Sequence, residues 1–271
     1  MIFEFRQPRG LLSSFVDNLV YHEGYAPGHS IERFLPDGNL EVVIDLTDTP
    51  KPLYDYKTLE VIQTCSNGWI SGIRTEPISI PVSKDFAMIV VTFKKGMASH
   101  FFGFPIDEIA DRIVDADLIW GSGFLELRES LIDADAVENR FELVESYLLR
   151  ILGTSIEPNP CVEYAVDSIV NHSPTLSLQD LYTKIGYSQK HFISMFKREV
   201  GLTPKKYLRI NRFQSIIETV ENHTEPKWSE ISNACGFFDQ SHFINDFRDF
   251  SGFTPEQYFK NKGDFLNYVP V

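Results

Sequence analysis

A pattern near the C-terminus occurs twice, first as Gly186-Tyr187-Ser188-Gln189-Lys190-His191-Phe192 and then as Gly236-Phe237-Phe238-Asp239-Gln240-Ser241-His242-Phe243. An offset of 51 carries His191-Phe192 onto His242-Phe243, Phe196 onto Phe247, Gly201 onto Gly252, Thr203-Pro204 onto Thr254-Pro255 and Tyr207 onto Tyr258. Self-similarity at a fixed period means that one supersecondary unit is used twice. The unit reads as two helices and a turn. Leu178, Leu181 and Ile185 form the apolar face of a short helix that stops at Gly186, a residue able to take the left-handed conformation. Ser188 and Asp239 stand at the same register and are N-cap residues for a second helix. Phe192, Phe196 and Val200, and in the other copy Phe243, Phe247 and Phe250, make its inward face.

The outward residues at the start of each second helix are Gln189, Lys190, Ile193 and Ser194, then Gln240, Ser241, Ile244 and Asn245. In a helix-turn-helix these are the positions that read base edges in the major groove. Between the units, Thr203-Pro204 is an N-cap followed by proline at the first helical position. Tyr207, Ile210, Phe213, Ile217 and Val220 then keep helical spacing to about 222, before Pro226. At 1.5 Å per residue that helix spans about 28 Å, close to the ~34 Å between successive major-groove faces. Units at about 177–200 and 228–251, joined by a helix at about 204–222, are therefore expected.

These residues carry a resemblance. Residues 160–262 resemble the DNA-binding module of the AraC/XylS family of bacterial transcription regulators, whose second unit carries the G-F-x-D-Q-S-H-F stretch seen at Gly236–Phe243 and continues through Gly252, Thr254-Pro255 and Tyr258. The resemblance implies double-stranded DNA as partner, with base contacts at Lys190, Ile193 and Ser194 and at Gln240, Ser241 and Asn245. RNA polymerase follows as a further partner of such a regulator. Ser188, Lys197, Lys205, Lys206, Arg209 and Arg248 are the candidates for phosphate contact. The chain departs from the family at Tyr182 and Ser232, where alanines are usual, at Asp246, where a basic residue is common, and at Phe259, where an arginine often follows the tyrosine. Tyr182 puts contact by the first unit in doubt, and Asp246 and Phe259 weaken the case for tight phosphate binding.

Charge sharpens that doubt. The chain holds 25 Lys and Arg against 38 Asp and Glu, net −13. From residue 160 onward there are 12 and 13, which leaves 13 and 25 before it, so the acid sits in the N-terminal half. Phosphate neutralisation supplies most non-specific DNA affinity, and a nearly neutral module predicts little of it.

The N-terminal half reads as β-rich, with runs at Leu40–Leu46, Trp69–Ile73, Ile78–Val82 and Ala87–Phe93 and a turn at Pro36-Asp37-Gly38-Asn39. Strands to about 104 followed by helices over about 105–152 give an α+β, multidomain chain. A cupin-like barrel or sandwich at 1–153, a sensory or dimerisation domain by the resemblance, leads through a linker at 154–160 to an all-α module at 161–271. Val137, Phe141, Val144, Leu148 and Ile151 step as a coiled-coil seam does, so the helix at 137–152 either pairs subunits or packs on its own domain. Phe34, Trp69 and Phe93 are candidates to line an effector pocket or simply core residues. No ligand is named by the sequence.

Catalysis finds no constellation. His22, His29 and His100 lack metal-ligand spacing, His22 with Glu23 reads as a surface pair, and no phosphate-binding or nucleophile motif is present. No cofactor or metal is expected. Cys65, Cys161 and Cys235 suit a reducing cytoplasm, with no disulfide framework, and no apolar run approaches the ~20 residues of a membrane span. Two alternatives to a regulator stand: a protein-interaction module that has lost strong DNA affinity, and a cupin enzyme fused to a DNA-binding module.

Overall fold

The computed structural model describes residues 1–153, 159–221, 223–237 and 239–271. Positions 154–158 of the expected linker, position 222 at the end of the expected long helix, and Phe238 of the second copy lie outside them. Two antiparallel sheets form from ten strands of the N-terminal half and one short strand of the C-terminal tail. The strands are β1 (Ile2–Arg6), β2 (Val16–Glu23), β3 (Ile31–Phe34), β4 (Glu41–Asp45), β5 (Lys51–Tyr54), β6 (Val61–Cys65), β7 (Gly68–Ser71), β8 (Ile78–Pro81), β9 (Ala87–Phe93), β10 (Ile113–Asp115) and β11 (Tyr268–Pro270). One sheet runs β1-β2-β9-β4-β7-β10 and the other β11-β3-β8-β5-β6. This is a sandwich and not a closed barrel.

Alternation sorts the side chains of the six-stranded sheet. Leu19, Tyr21, Val42, Ile44, Ile89, Val91 and Phe93 point to one face, under α1 (Ala116–Trp120), α2 (Ser122–Asp133) and α3 (Val137–Ile151). Val20, His22, Glu41, Val43, Met88, Val90 and Thr92 point the other way, into the space between the sheets. Phe141, Val144 and Leu148 of α3 are buried in that same core, with Val137 and Ile151 packed on it. The heptad-like seam is thus consumed within the chain.

The C-terminal half folds as α4 (Pro160–His172), α5 (Leu178–Ile185), α6 (Gln189–Val200), α7 (Pro204–Glu221), α8 (Trp228–Ala234), α9 (Gln240–Ser251) and α10 (Pro255–Asn261). The 18 residues of α7 give about 27 Å. Phe192, Phe196, Phe213, Phe243 and Phe247 meet around it in one core. That core also takes in Leu35 and Ile73 of the N-terminal half, so the two halves are packed together.

Several expectations are corrected. Only a 3-10 turn forms at Ile106–Glu108, and strand β10 follows it, so strands do not end near 104. The linker does not extend to 160: α4 begins at Pro160, with the Asn159 side chain accepting from the Cys161 amide at 3.1 Å. The module is not all-α, because β11 pairs with β3 of the sandwich. Three residues with a proline at their end carry too little pattern to be read as a strand, and their partner lies more than 230 residues away in sequence.

Candidate functional site

The two helix-turn-helix units are built by the same local devices. Ser188 Oγ accepts the His191 amide at 3.3 Å and Asp239 Oδ1 the His242 amide at 2.7 Å; caps of this kind are worth about 1 kcal/mol each. Gly186 and Gly236 enter the turns, and Gly201 and Gly252 close α6 and α9, all with positive φ. Gly236 has no alternative, since a Cβ there would sit 2.0 Å from the Pro174 carbonyl oxygen. Tyr182 fits without splaying the first unit: its ring lies edge-on to Phe192 at 5.9 Å, half-buried on the module core. Ser232 is buried and its hydroxyl bonds the Ser229 carbonyl at 3.1 Å.

The start of α6 presents Gln189, Lys190 and Ser194 to solvent with Ile193 half-buried, and α9 presents Gln240, Ser241 and Asn245 with Ile244 half-buried. The exposed residues of both sets lie on the side of their helix away from the buried phenylalanines, while Ile244 also packs against the module core. Among the phosphate candidates, Ser188 is exposed with its hydroxyl serving as the cap, and Lys205, Lys206 and Arg248 are exposed with no ion pair among the described residues. Two others are engaged. Lys197 pairs with Asp107 of the sandwich at 2.9 Å. Arg209 on α7 grips Asp246 of α9 at 3.1 and 2.7 Å and reaches Asp249 at 3.3 Å.

Asp246 is therefore no obstacle on the outward face. It is 4% exposed and ties α9 to α7, with His242 Nε2 at 3.6 Å. Phe259 packs against the module core beside Trp228. Sequence reasoning saw Asp246 as an unusual charge on the second helix and missed its partner, because the pairing depends on how α7 crosses α9.

A second site lies between the sheets, a cavity of about 360 Å³. Phe34 and Trp69 line it, as anticipated, but Phe93 faces the opposite side and packs against Phe101 and Phe102. His22 is no surface partner of Glu23. It lines the cavity, where burial pushes its imidazole down to about 4, and Glu23 instead accepts the Tyr21 hydroxyl at 2.6 Å. Lys51 is held by Asp45 at 2.6 Å. Part of the wall comes from the C-terminal tail, through Phe265, Leu266 and Tyr268. Among the described residues no three His, Cys, Asp or Glu side chains gather as a metal-binding group, and no helix is long and apolar enough to cross a membrane.

Two capped helices repeated about a long connecting helix, with their polar ends outward, define a tandem helix-turn-helix module. Residues 181–261 match the family described as a helix-turn-helix domain, and residues 4–115 match a domain of unknown function. The chain is 29% identical over 83 residues to "Probable transcriptional regulator LumQ" of Photobacterium leiognathi, covering 31% of this chain and 33% of that one. It is 28% identical over 90 residues to the lactose operon transcription activator of Staphylococcus xylosus, covering 33% and 32%. The chain thus spans about a third of the length of the curated relatives it matches. Among solved structures, ToxT from Vibrio cholerae O395 is similar with a TM-score of 0.46 at 10% identity, over 89% of this chain and 95% of that one. The C-terminal domain of AraT, a response regulator from Geobacillus stearothermophilus, gives 0.36 at 24% identity, over 40% and 91%. The C-terminal module is thus a helix-turn-helix domain, similar over about 80–90 residues to those two curated transcription regulators.

Proposed function

We infer that this protein is a sequence-specific, DNA-binding transcription regulator that acts in the bacterial cytoplasm and is modulated through its N-terminal half. One observation carries the reading: two helices with matching caps each leave three exposed polar positions at their N-terminal end, turned away from the core. Helix N-termini, Lys205, Lys206 and Arg248 would set register on phosphates. Lys190, Ile193, Ser194 and Gln189 would read one stretch of major groove and Gln240, Ser241, Ile244 and Asn245 the next, with Gln240 and Asn245 suited to bidentate pairing with adenine. The description of both curated relatives as transcription regulators favours the same assignment, and RNA polymerase is the further partner it entails. The reading involves no catalytic step.

The cavity supports an effector. At about 360 Å³ it falls within the range of small-molecule pockets, and its wall is shared between the sandwich and the tail of the module. A homodimer through the helix at 137–152 would have to use the outer side of α3, around Leu149, since the apolar seam is buried.

In vitro selection from a random duplex library with the full chain tests the regulator reading. Enrichment of two sequence blocks about one helical turn apart is expected, with loss of affinity when Lys190, Gln240 and Asn245 are replaced by alanine. Unchanged affinity of that triple variant would place the reading surface elsewhere. No enriched site, alone or with ligand, would leave the module as a protein-interaction frame.

A further inference from the structure

The charges facing the cavity between the sheets do not balance. Glu32 is 5% exposed and lines the space. The Tyr25 hydroxyl at 3.0 Å and His29 Nε2 at 2.7 Å both meet its Oε1, and Oε2 has no hydrogen bond among the described residues. Glu41 repeats the arrangement: the Thr92 hydroxyl reaches Oε1 at 3.2 Å, while Oε2 has no hydrogen bond among the described residues. Asp37 lies close enough to act on Glu41, and all three carboxyls act on the Tyr268 phenol.

The cations nearby are already committed. Lys51 lines the cavity, but its ammonium donates to Asp45 at 2.6 Å, to the Thr47 hydroxyl at 2.7 Å and to the Thr49 carbonyl at 2.5 Å. Three acceptors exhaust its three protons. Lys95, beside Asp37, is not part of the lining and donates to Asn211 Oδ1 at 3.2 Å. Burial keeps His22 uncharged near neutrality. An anionic ligand would therefore meet two carboxyl groups, and Lys51, the lysine of the lining, has no proton left to donate to it. Aromatic faces complete the lining, with Phe3, Phe34, Trp69, Phe265 and Tyr268 around the space.

Resting on the reading of this cavity as an effector site, we propose that its ligand is an organic cation, a small amine whose ammonium pairs with the open oxygens of Glu32 and Glu41 and whose apolar body lies on the aromatic walls. Aromatic faces attract cations through their quadrupole, and a buried carboxylate is stabilised by a hydrogen-bonded counter-charge. Without ligand, burial and the neighbouring Asp37 push Glu41 up to about 8, so that it holds a proton at neutral pH. Amine binding replaces that proton with the ammonium.

Isothermal titration of the full chain at pH 7, without DNA, tests this with matched sets: phenethylamine, phenethyl alcohol and phenylacetate, then hexylamine, hexanol and hexanoate. The amine of at least one set should bind about tenfold or more tightly than its alcohol, a difference of the size that one charge-assisted hydrogen bond confers, and the acid should not bind. Binding should release roughly one proton, read as a dependence of the heat on the buffer. Glu32→Gln and Glu41→Gln should each weaken amine binding by about ten- to a hundredfold and leave the alcohol unchanged. If either variant fails to fold, the class preference and proton release of the wild type decide alone. Preference for the acids, equal binding of amine and alcohol, or no binding by any member overturns the assignment. Because DNA is absent from the assay, such a failure is separate from a failure of the library selection.

Discussion

Replacing Arg209 with alanine separates a structural role from a DNA-binding one. The guanidinium grips Asp246, which is 4% exposed, at 3.1 and 2.7 Å. Stripping the partner from a fully buried ion pair costs ~3–5 kcal/mol. Here Arg209 keeps a third of its side chain in solvent and His242 stands 3.6 Å from the same carboxylate, so solvent screening and the second partner reduce the expected loss to about 2 kcal/mol. In a unit of this size ~1 kcal/mol moves Tm by about 4 °C, which gives a fall of about 8 °C in the transition of the module by differential scanning calorimetry. A residue that only touched phosphate would behave otherwise: the melt would be unchanged, and the slope of log affinity against log salt would shrink by about 0.9. Asp246→Asn supplies the converse, freeing Arg209 with little change in volume; some stability should be lost while non-specific DNA affinity rises. Arg209→Ala melting with the wild type would refute the clamp.

Other perturbations test the remaining structural claims. Gly236→Ala combines a positive φ with a Cβ 2.0 Å from a backbone oxygen, and should cost about 3 kcal/mol or more, melting the second unit while circular dichroism still reports the sandwich; a wild-type melt would contradict the turn geometry. Thiol titration with an aromatic disulfide should label Cys161 first, because Cys65 is fully buried with its thiol pushed up to about 12 and Cys235 is buried and shifted in the same direction; first labelling of Cys65 would contradict the packing of β6. Glu41 is raised above its ordinary value, so its folded form binds the proton more tightly. The stability this contributes is present below pH ~4.3 and lost as pH rises towards 8. Denaturant unfolding of Glu41→Gln should therefore gain on the wild type across that window, and parallel pH profiles would exclude a proton-holding Glu41.

The tandem module was legible because each of its devices is local. Ser188 and Asp239 cap helices that start one residue later, and Gly201 and Gly252 stop them, so spacing along the chain contains the geometry. The cavity was half legible. Phe34 and Trp69 were candidates by their aromatic character, but Phe93 differs from Thr92 only in which face of β9 it occupies, and parity depends on a register set by β2 and β4. Glu32 and Glu41 drew no notice, since a single carboxylate in a strand reads as surface until the partner sheet covers it. β11 and the Arg209–Asp246 clamp were invisible for one reason: both join residues by the packing of elements far apart in sequence, on which local pattern is silent.

The tail supplies a route between the two sites. Tyr268 faces the cavity, whereas Val269, the next residue of β11, lies in the core of the module. Strand β3 behaves alike: Glu32 and Phe34 face the cavity, while Arg33 donates to the Ser251 carbonyl at the end of α9 and lies 4.3 Å over the Phe253 ring. Leu35 continues into the module core, and the Leu35 amide bonds the Asn267 carbonyl at 3.0 Å. A ligand that draws on Glu32 therefore pulls on a strand whose other face holds the second helix-turn-helix unit. If the two sites are coupled this way, reciprocity requires operator DNA to change ligand affinity by the factor by which ligand changes operator affinity. Tyr268→Ala leaves the outward residues of α6 and α9 in place and removes a cavity wall on the shared strand. It should reduce that factor towards one in both directions, measured by titrating the ligand with and without operator and the operator with and without ligand. A factor that survives the substitution unchanged would send the coupling through another path, the Lys197–Asp107 contact being the next to examine.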